Sequence, residues 1–239
     1  MNAPDVDQEQ PVSTEVVGLP GSGKTSLVER LPALADGVDI ARRPGRLWEL
    51  RAYIGSGLVL APVVVRRLAT SSGSWAEVMR MLKLDAWLSM LHYRSVTRAR
   101  ALVLDQGPVY LLHRLGAEGL DASSVAAAAW HDSMMERCAR SLGAAIALDA
   151  PNEVLIQRIR DRSKVHRLRH QPRETAWAAL TDQRERLRRL LDQLQARGLP
   201  KVLWIDTSGA PLDRATLRTL QALGIQPPLK ANGGFDPSS

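Results

Sequence analysis

The sequence predicts an α/β protein whose five-stranded parallel sheet is covered by helices on both faces. Five short apolar segments alternate with helical segments, which is the pattern of a parallel sheet in a three-layer fold. The segment 18–25, GLPGSGKT, follows the first strand, precedes a helix and fits the phosphate-binding pattern Gly-x-x-x-x-Gly-Lys-[Ser/Thr]. Together these observations predict a P-loop NTPase fold. A chain of 239 residues is long enough for one such domain with a smaller lid.

The residue types of this loop suit the phosphates of a nucleotide. Glycines let successive backbone N–H groups converge on phosphate oxygens that side chains would otherwise block. Lys24 can reach the β- and γ-phosphates, the Thr25 hydroxyl suits Mg²⁺, and the helix that begins near Lys24 directs its positive end at the same anions. We therefore expect this loop to bind a nucleotide together with Mg²⁺. The expected nucleotide-binding residues are Gly18, Pro20, Gly21, Ser22, Gly23, Lys24, Thr25 and Ser26.

The first half of the chain is assigned from apolar patterning. Residues 1–13 have no periodicity and are predicted to be a disordered tail. A β-branched run predicts a strand at 14–18, and apolar residues at helical spacing predict the helix after the loop. A second short strand is expected at 37–41. Helical patterning returns at 47–53, extends less regularly to residue 68, and resumes from Trp75 to about Arg98.

The second half of the chain alternates more clearly. Continuous apolar runs predict buried strands at 101–105, 144–149 and 202–206. Helices are expected at 109–115, 123–142, 153–162, 174–197 and 212–223. Residues 163–172 are basic and irregular, and residues 226–239 are predicted to be a second disordered tail, which leaves 14–225 as the domain.

Composition argues against several classes of protein. An apolar fraction of 45% is that of a globular chain, and the single cysteine, Cys138, fits a reducing compartment, so we expect a cytoplasmic protein. The most apolar run, 58–65, is much shorter than the ~20 residues of a membrane-spanning helix. The first fifteen residues are polar and do not resemble a signal peptide. No membrane partner is expected.

Positive charge is concentrated in one stretch. The net charge is +7, and residues 153–197 hold twelve Lys/Arg against six Asp/Glu. Nucleotide phosphates explain this excess, because the basic pattern interleaved with aromatic residues that marks single-strand binders is missing. We therefore do not expect a nucleic-acid partner.

A carboxylate ends the strand at 101–105. Asp105 would lie at the ligand-bearing edge of the sheet, where it can hold Mg²⁺ through water or accept a proton from an acceptor hydroxyl. Both roles stay open, and the structural alternative is a cap for the Gln-Gly-Pro bend. Asp149 and Asp206 also end strands, but their contexts are typical of caps and turns.

Two arginines carry the remaining catalytic prediction. Arg158 and Arg162 are four residues apart on a predicted helix that leads into the basic segment, so they share a face. Guanidinium groups stabilise the charge that phosphoryl transfer spreads over the γ-phosphate oxygens. The alternative is a solvated helix whose arginines pair with Glu153 and Asp161.

Several of these segments resemble thymidylate kinases and deoxynucleoside kinases. The passage 148–154, LDAPNEV, followed by Arg158-Ile-Arg-Asp-Arg162, is similar to their strand–helix–lid passage. Arg42-Arg-Pro-Gly45 resembles the Arg-Glu-Pro-Gly turn of thymidylate kinases, Asp105-Gln-Gly107 takes the place of their Asp-Arg element, and 202–207 resembles their final strand. The resemblance covers roughly residues 14–223.

The resemblance implies a nucleoside-monophosphate-kinase-like fold with strand order 2-3-1-4-5, Mg-ATP as donor and an arginine-bearing lid at about 158–172. It implies substrate contacts at Arg42, Arg43, Arg94 and Gln106, and leaves a homodimer as an open expectation. Gln106 replaces an arginine of the family and cannot pair ionically with a phosphate. This departure favours a neutral hydroxyl acceptor, unless Arg94, Arg42 or Arg43 supplies the missing charge.

These observations predict an ATP-dependent kinase for a small-molecule acceptor, a nucleoside or nucleotide in the first instance. A drug, sugar or adenylylsulfate-like hydroxyl compound is the alternative acceptor. A nucleotide-dependent regulatory ATPase is an alternative of another class, although no Asn-Lys-x-Asp guanine-binding element occurs in the chain.

Overall fold

Five parallel strands form the centre of the molecule in the computed structural model. The structure describes residues 12–34, 38–43, 46–47, 50, 54, 75–94, 101–117, 125–162, 166–209 and 212–222. The strands are β1 (Val12–Gly18), β2 (Val38–Ala41), β3 (Ala101–Asp105), β4 (Ala144–Asp149) and β5 (Val202–Asp206). Their order in the sheet is β2-β3-β1-β4-β5, and every pair is parallel. The expected five-stranded parallel sheet and its strand order are confirmed.

Seven helices connect and cover the strands in the described ranges. They are α1 (Lys24–Leu34), α2 (Trp75–Arg94), α3 (Pro108–Ala117), α4 (Val125–Ser141), α5 (Asn152–Asp161), α6 (Arg173–Ala196) and α7 (Leu212–Ala222). α3 begins at Pro108, where the fixed φ of proline suits the first helical position and its missing N–H would have had no helical partner.

Apolar clusters on the two faces of the sheet make the core. On one face α1 and α7 pack against the sheet through residues such as Val16, Leu27 and Ile205. On the other face α2, α3, α4 and α6 pack together over Val17 and Leu104. A third cluster joins α5 and α6 beneath the loop after β1. Neighbouring residues of β1 therefore serve opposite layers, as the alternation of side chains along a strand requires.

Some element bounds differ from those expected from the sequence. Val12 and Ser13, assigned above to the tail, pair with Ala101 and Leu102 in β1, because the ladder with β3 continues past the β-branched run. α2 is described to Arg94, whereas the prediction extended to about residue 98. Of the expected helical stretch 47–68, only residues 47, 50 and 54 are described. Residues 1–11 of the predicted tail 1–13 and all of the predicted tail 226–239 lie outside the described residues.

The apolar face of α2 is used within the chain. Its buried residues, among them Met81, Leu84 and Leu88, lie in the cluster shared with α3 and α4. An ion pair of 2.5 Å between Asp85 of α2 and Arg137 of α4 adds to this packing. In the part of the chain that the structure describes, no helix combines the length and apolar character that crossing a membrane requires.

Candidate active site

The segment Gly18–Thr25 joins β1, the central strand, to α1. Its glycines come very close to other backbone segments. A Cβ atom on Gly18 would lie 2.3 Å from the Leu148 carbonyl oxygen, and one on Gly21 would lie 2.9 Å from that of Leu155. Gly18, Gly21 and Gly23 also have positive φ angles of 148°, 85° and 87°. The loop therefore needs glycine for space at Gly18 and Gly21 as well as for conformation.

Lys24 folds back over this loop. Its ammonium donates hydrogen bonds of 2.8 Å to the carbonyl oxygens of Gly18 and Leu19. The pKa of the ammonium falls from 10.5 to about 8, mainly through burial; the charge of the nearby Arg162 contributes to the lowering and that of Asp105 opposes it. Lys24, Arg162 and Asp105 are thus within electrostatic range of one another, although they come from three separate parts of the sequence.

Asp105 ends β3 beside the loop. It pairs with Val16 of β1 in the ladder, and Gly18, where the loop starts, is two positions further along β1. The residue is 9% exposed, and its Oδ1 atom is buried without a hydrogen-bond partner. A buried carboxylate oxygen that no protein group satisfies suits a cation or a bound water.

The unsatisfied oxygen of Asp105 and the hydroxyl of Thr25 are ligand types that suit a magnesium ion. The hydroxyl of Thr25 is at the exposed start of α1, and carboxylate and hydroxyl oxygens with several waters and phosphates are the usual ligands of Mg²⁺. Thr25 and Asp105, the two predicted metal-binding residues, are thus the groups that would hold it.

Gln106 follows Asp105 in an unusual conformation. Its φ angle is 63°, and it is the one non-glycine residue with a positive φ in the described ranges. Such a conformation is sparsely populated for residues other than Gly, Asn and Asp, and it persists where the surroundings enforce it. The Gln106 side chain is exposed at the carboxyl edge of the sheet, which is where the resemblance expects an acceptor contact.

A buried carboxylate lies next to the corner that Asp105 and Gln106 form at the end of β3. Glu15 of β1 is fully buried, and its carboxylate accepts the N–H groups of Val109 at 2.7 Å and Tyr110 at 2.9 Å, in the first turn of α3. Burial raises the pKa of Glu15 above its usual value, and bonds from the N–H groups of Tyr110, Val109 and Gly107, which favour the charged form, lower it. The nearby Asp105 raises it a little further.

Arg158 is held against the loop and the end of β5. Its guanidinium donates to the carbonyl oxygen of Thr207 at 2.7 Å, to the Thr207 hydroxyl at 3.1 Å and to the carbonyl oxygen of Gly21 at 3.4 Å. These bonds connect α5 to the loop and to the last strand. Arg158 is therefore positioned at the flank of the loop.

A cavity of about 400 Å³ opens beside the loop. It is lined by loop residues, by the end of α5, and by residues after β5: Gly21, Ser22, Gly23, Ser26, Arg158, Asp161, Arg162, Thr207 and Ala215. Arg162 borders it as an exposed residue immediately after α5, and its charge reaches Lys24. Of the two predicted arginines, Arg162 is thus the one near the lysine.

Two histidines within electrostatic range of Lys24 lie among cations. Burial lowers the pKa of His113 and of His166, and Lys24 and Arg114 lower both further. His113 is also bonded to the carbonyl oxygen of Gln183 at 3.1 Å. The surroundings of Lys24 therefore carry a positive field from α3, α6 and the segment before α6, which an anion would neutralise.

The predicted substrate residues are placed unequally. Arg42 and Arg43 follow β2, at the same edge of the sheet as Gln106, and both are exposed; Arg42 forms a 3.3 Å ion pair with Glu29 of α1. Arg94 is the last residue of α2, and its side chain lies outside the described part of the structure.

The other strand-end carboxylates are fully engaged. Asp149 accepts a two-pronged pair of bonds from Arg184 of α6, at 2.7 and 3.1 Å, and also caps the N–H of Ala150. Asp206 accepts the N–H of Ser208 at 2.8 Å, and this bond holds the pKa of Asp206 below its usual value. Both agree with the cap and turn roles expected from the sequence, and both differ from Asp105.

Sequence reasoning missed Glu15 and Thr207. A signal for Glu15 was present, because a glutamate in a β-branched run of a central strand must be buried and needs partners. Thr207 had no such signal, since its partner Arg158 is 49 residues away. Comparison with protein-family models and with curated proteins gives no match to this sequence.

Proposed function

We propose that the protein is an ATP-dependent kinase that transfers the γ-phosphoryl group to a small nucleoside or nucleotide acceptor. The observation that carries the proposal is the pairing of two features at one sheet edge. A glycine-lined loop with a folded-back lysine follows β1, and a buried carboxylate with an unsatisfied oxygen ends the adjacent strand β3. This pairing supports a donor site for nucleotide phosphates with a metal ion.

Each group has a role that its surroundings support. The loop N–H groups and Lys24 would bind the β- and γ-phosphates, which gives the Lys24 ammonium an anion to pair with. Thr25 and Asp105 would hold Mg²⁺, which when bound neutralises charge on the phosphate oxygens. Arg162, whose charge reaches Lys24, would act on the transferred group, and Arg158 with Thr207 would border the base of the nucleotide.

The acceptor would lie between the β2 and β3 ends and α3. Gln106, Arg42 and Arg43 are at that edge, and Gln106 alone favours a neutral hydroxyl. The cationic surroundings of His113 and His166 favour an acceptor that carries a negative charge, such as a nucleoside monophosphate. A non-nucleotide hydroxyl acceptor remains the second candidate.

The test is ADP production from Mg-ATP with pooled nucleosides, monophosphates and hydroxylated metabolites, beside an acceptor-free control. We expect one pool to raise turnover well above the control and the Lys24→Ala and Asp105→Ala variants to abolish that rise. Lys201→Ala, which removes an exposed lysine before β5, is the matched control and should leave turnover intact. Equal, slow turnover in every pool would instead support a regulatory ATPase.

A further inference from the structure

The first turn of α3 is capped by a residue that is distant in the sequence. The first N–H groups of a helix have no partner within it, and a residue just before the helix usually satisfies them. Here Glu15 of β1 does so, with Oε2 accepting the N–H of Val109 and Oε1 that of Tyr110. The carboxylate is fully buried, so water does not compete for these bonds.

The strained corner lies directly between two fixed points. On one side Asp105 is fixed by the ladder of β3 with β1. On the other side Glu15 holds Val109 and Tyr110. Gln106, with its φ of 63°, connects the two. Both neighbours of Gln106 are held by β1, Asp105 through the ladder and Gly107 through its N–H bond to Glu15, and such surroundings enforce a sparsely populated conformation.

The contact between the carboxylate and the corner is direct. A Cβ atom on Gly107 would lie 2.9 Å from Glu15 Oε2, 3.0 Å from its Cδ and 3.1 Å from the Leu104 Cβ. Glu15 therefore packs against the backbone of Gly107, and a larger residue there would displace the carboxylate.

We propose that Glu15 is a positioning residue for the corner formed by Asp105 and Gln106. By holding the start of α3, it keeps Gln106 in its left-handed conformation and the Asp105 carboxylate beside Lys24. This inference rests on the proposed function, since the corner matters through its use of Mg-ATP. It differs from a capping role alone, in which Glu15 would stabilise α3 without affecting the site.

The first variant is Glu15→Gln, tested with a fluorescent ATP analogue titrated with Mg²⁺. An amide keeps the shape but has one acceptor oxygen, and its NH₂ group would face the N–H of Val109 or Tyr110. We expect the affinity for the analogue without Mg²⁺ to be unchanged. The Mg²⁺ concentration that gives half of the Mg²⁺-dependent change in binding should rise about tenfold or more. Hydrogen exchange should accelerate in residues 106–112 and stay the same in residues 18–28.

A second substitution separates positioning from simple stabilisation. Glycine adopts a positive φ without strain, so in Gln106→Gly the left-handed conformation no longer depends on the bonds that Glu15 accepts from α3. In the double variant Glu15→Gln/Gln106→Gly we expect the Mg²⁺ requirement to return toward the wild-type value. A residue that only stabilises α3 would show no such rescue.

Thr14→Val is the matched control. Thr14 precedes Glu15 in β1, is fully buried, and its hydroxyl has no hydrogen-bond partner, so valine keeps the volume and removes no bond. Its Mg²⁺ titration should match that of the wild type. Gly107→Ala is an independent variant that retains the Glu15 carboxylate but moves it away from the corner. It should reproduce the effect of Glu15→Gln.

Three results would overturn the proposal. The first is an unchanged Mg²⁺ requirement in folded Glu15→Gln. The second is a raised requirement that Gln106→Gly does not lower. The third is failure of both Glu15→Gln and Gly107→Ala to fold, which would make Glu15 a requirement of the fold itself. Failure of the proposed function is distinguishable, because wild-type protein would then show no Mg²⁺-dependent binding of the analogue.

Discussion

Arg158 and Arg162 are four residues apart but have different surroundings. Arg158 donates hydrogen bonds to Thr207 and Gly21, whereas Arg162 is exposed and acts on Lys24 through its charge. We therefore expect Arg158→Ala to lower the free energy of unfolding by about 1–3 kcal/mol, since it removes charge-assisted bonds. Arg162→Ala should leave stability unchanged and lower kcat by roughly 10³-fold or more.

Denaturant unfolding and steady-state kinetics on the two variants measure this difference, and each variant serves as the control for the other. An Arg162→Ala variant that is destabilised but fully active would contradict the role proposed for it. The same result for Arg158→Ala would assign that residue a purely structural role, although the sequence predicted catalysis.

If the loop binds a nucleotide as proposed, the titration of Lys24 should make that binding sensitive to pH. The unfolded chain keeps the Lys24 proton up to about pH 10.5, and the folded protein without nucleotide loses it near pH 8. Between these values the unfolded state binds more protons, so the nucleotide-free protein gains stability from this group as pH rises. Bound phosphates favour the charged form, so ATP affinity should fall and proton uptake on binding should rise above pH 8.

Calorimetric titrations in buffers of different ionisation enthalpy measure that proton uptake directly. Lys24→Met is the control: its weaker affinity should be flat between pH 7 and pH 9.5, because its side chain does not titrate. Equal proton uptake in both proteins would assign the titration to another group.

At the scale of elements, the aspartates that end β3 and β4 have opposite surroundings. Asp105 of β3 has an unsatisfied buried oxygen, whereas Asp149 of β4 is paired with Arg184 of α6 at 2.7 Å. We expect Asp105→Asn to lower turnover by about 100-fold or more without lowering stability. Asp149→Asn should lower the free energy of unfolding by about 1–3 kcal/mol and keep the turnover of the folded fraction.

The two asparagine variants are matched controls, because each changes one strand-end carboxylate in the same way. Thermal unfolding and single-turnover phosphoryl transfer are the measurements. Retained activity in Asp105→Asn would remove the carboxylate from the site and leave it as a cap for the bend at Gln106.

The strands were predictable from the sequence and the corner between them was not. β3 and β4, of five and six residues, are continuous apolar runs that each end in an aspartate, and the burial of those runs follows from composition alone. The order of the strands was expected from the resemblance alone, and the sheet has that order. The φ of Gln106 and the cap on α3 depend on Glu15, which acts across 94 residues, and no local pattern encodes such a contact.

At the scale of the whole molecule, the proposed donor site is built from distant parts of the chain. Gly23 follows the first strand, Arg158 belongs to α5, and Thr207 and Ala215 come after the last strand, yet all line one cavity. Arg158 connects these parts through its bonds to Gly21 and Thr207. A nucleotide in this cavity would therefore add contacts between the first and last helices, which already pack together.

That arrangement predicts stabilisation far from the loop. Nucleotide at 100 times its Kd adds about 2.7 kcal/mol to the free energy of unfolding, which for a chain of this size raises Tm by roughly 5–10 °C. Hydrogen exchange should slow in α7 as well as in residues 18–28. Lys24→Ala should remove both effects at the same nucleotide concentration. If exchange slows in the loop while α7 is unaffected, the base of the nucleotide lies outside the cavity bounded by Arg158 and Thr207, and the donor would have to extend from the loop in another direction.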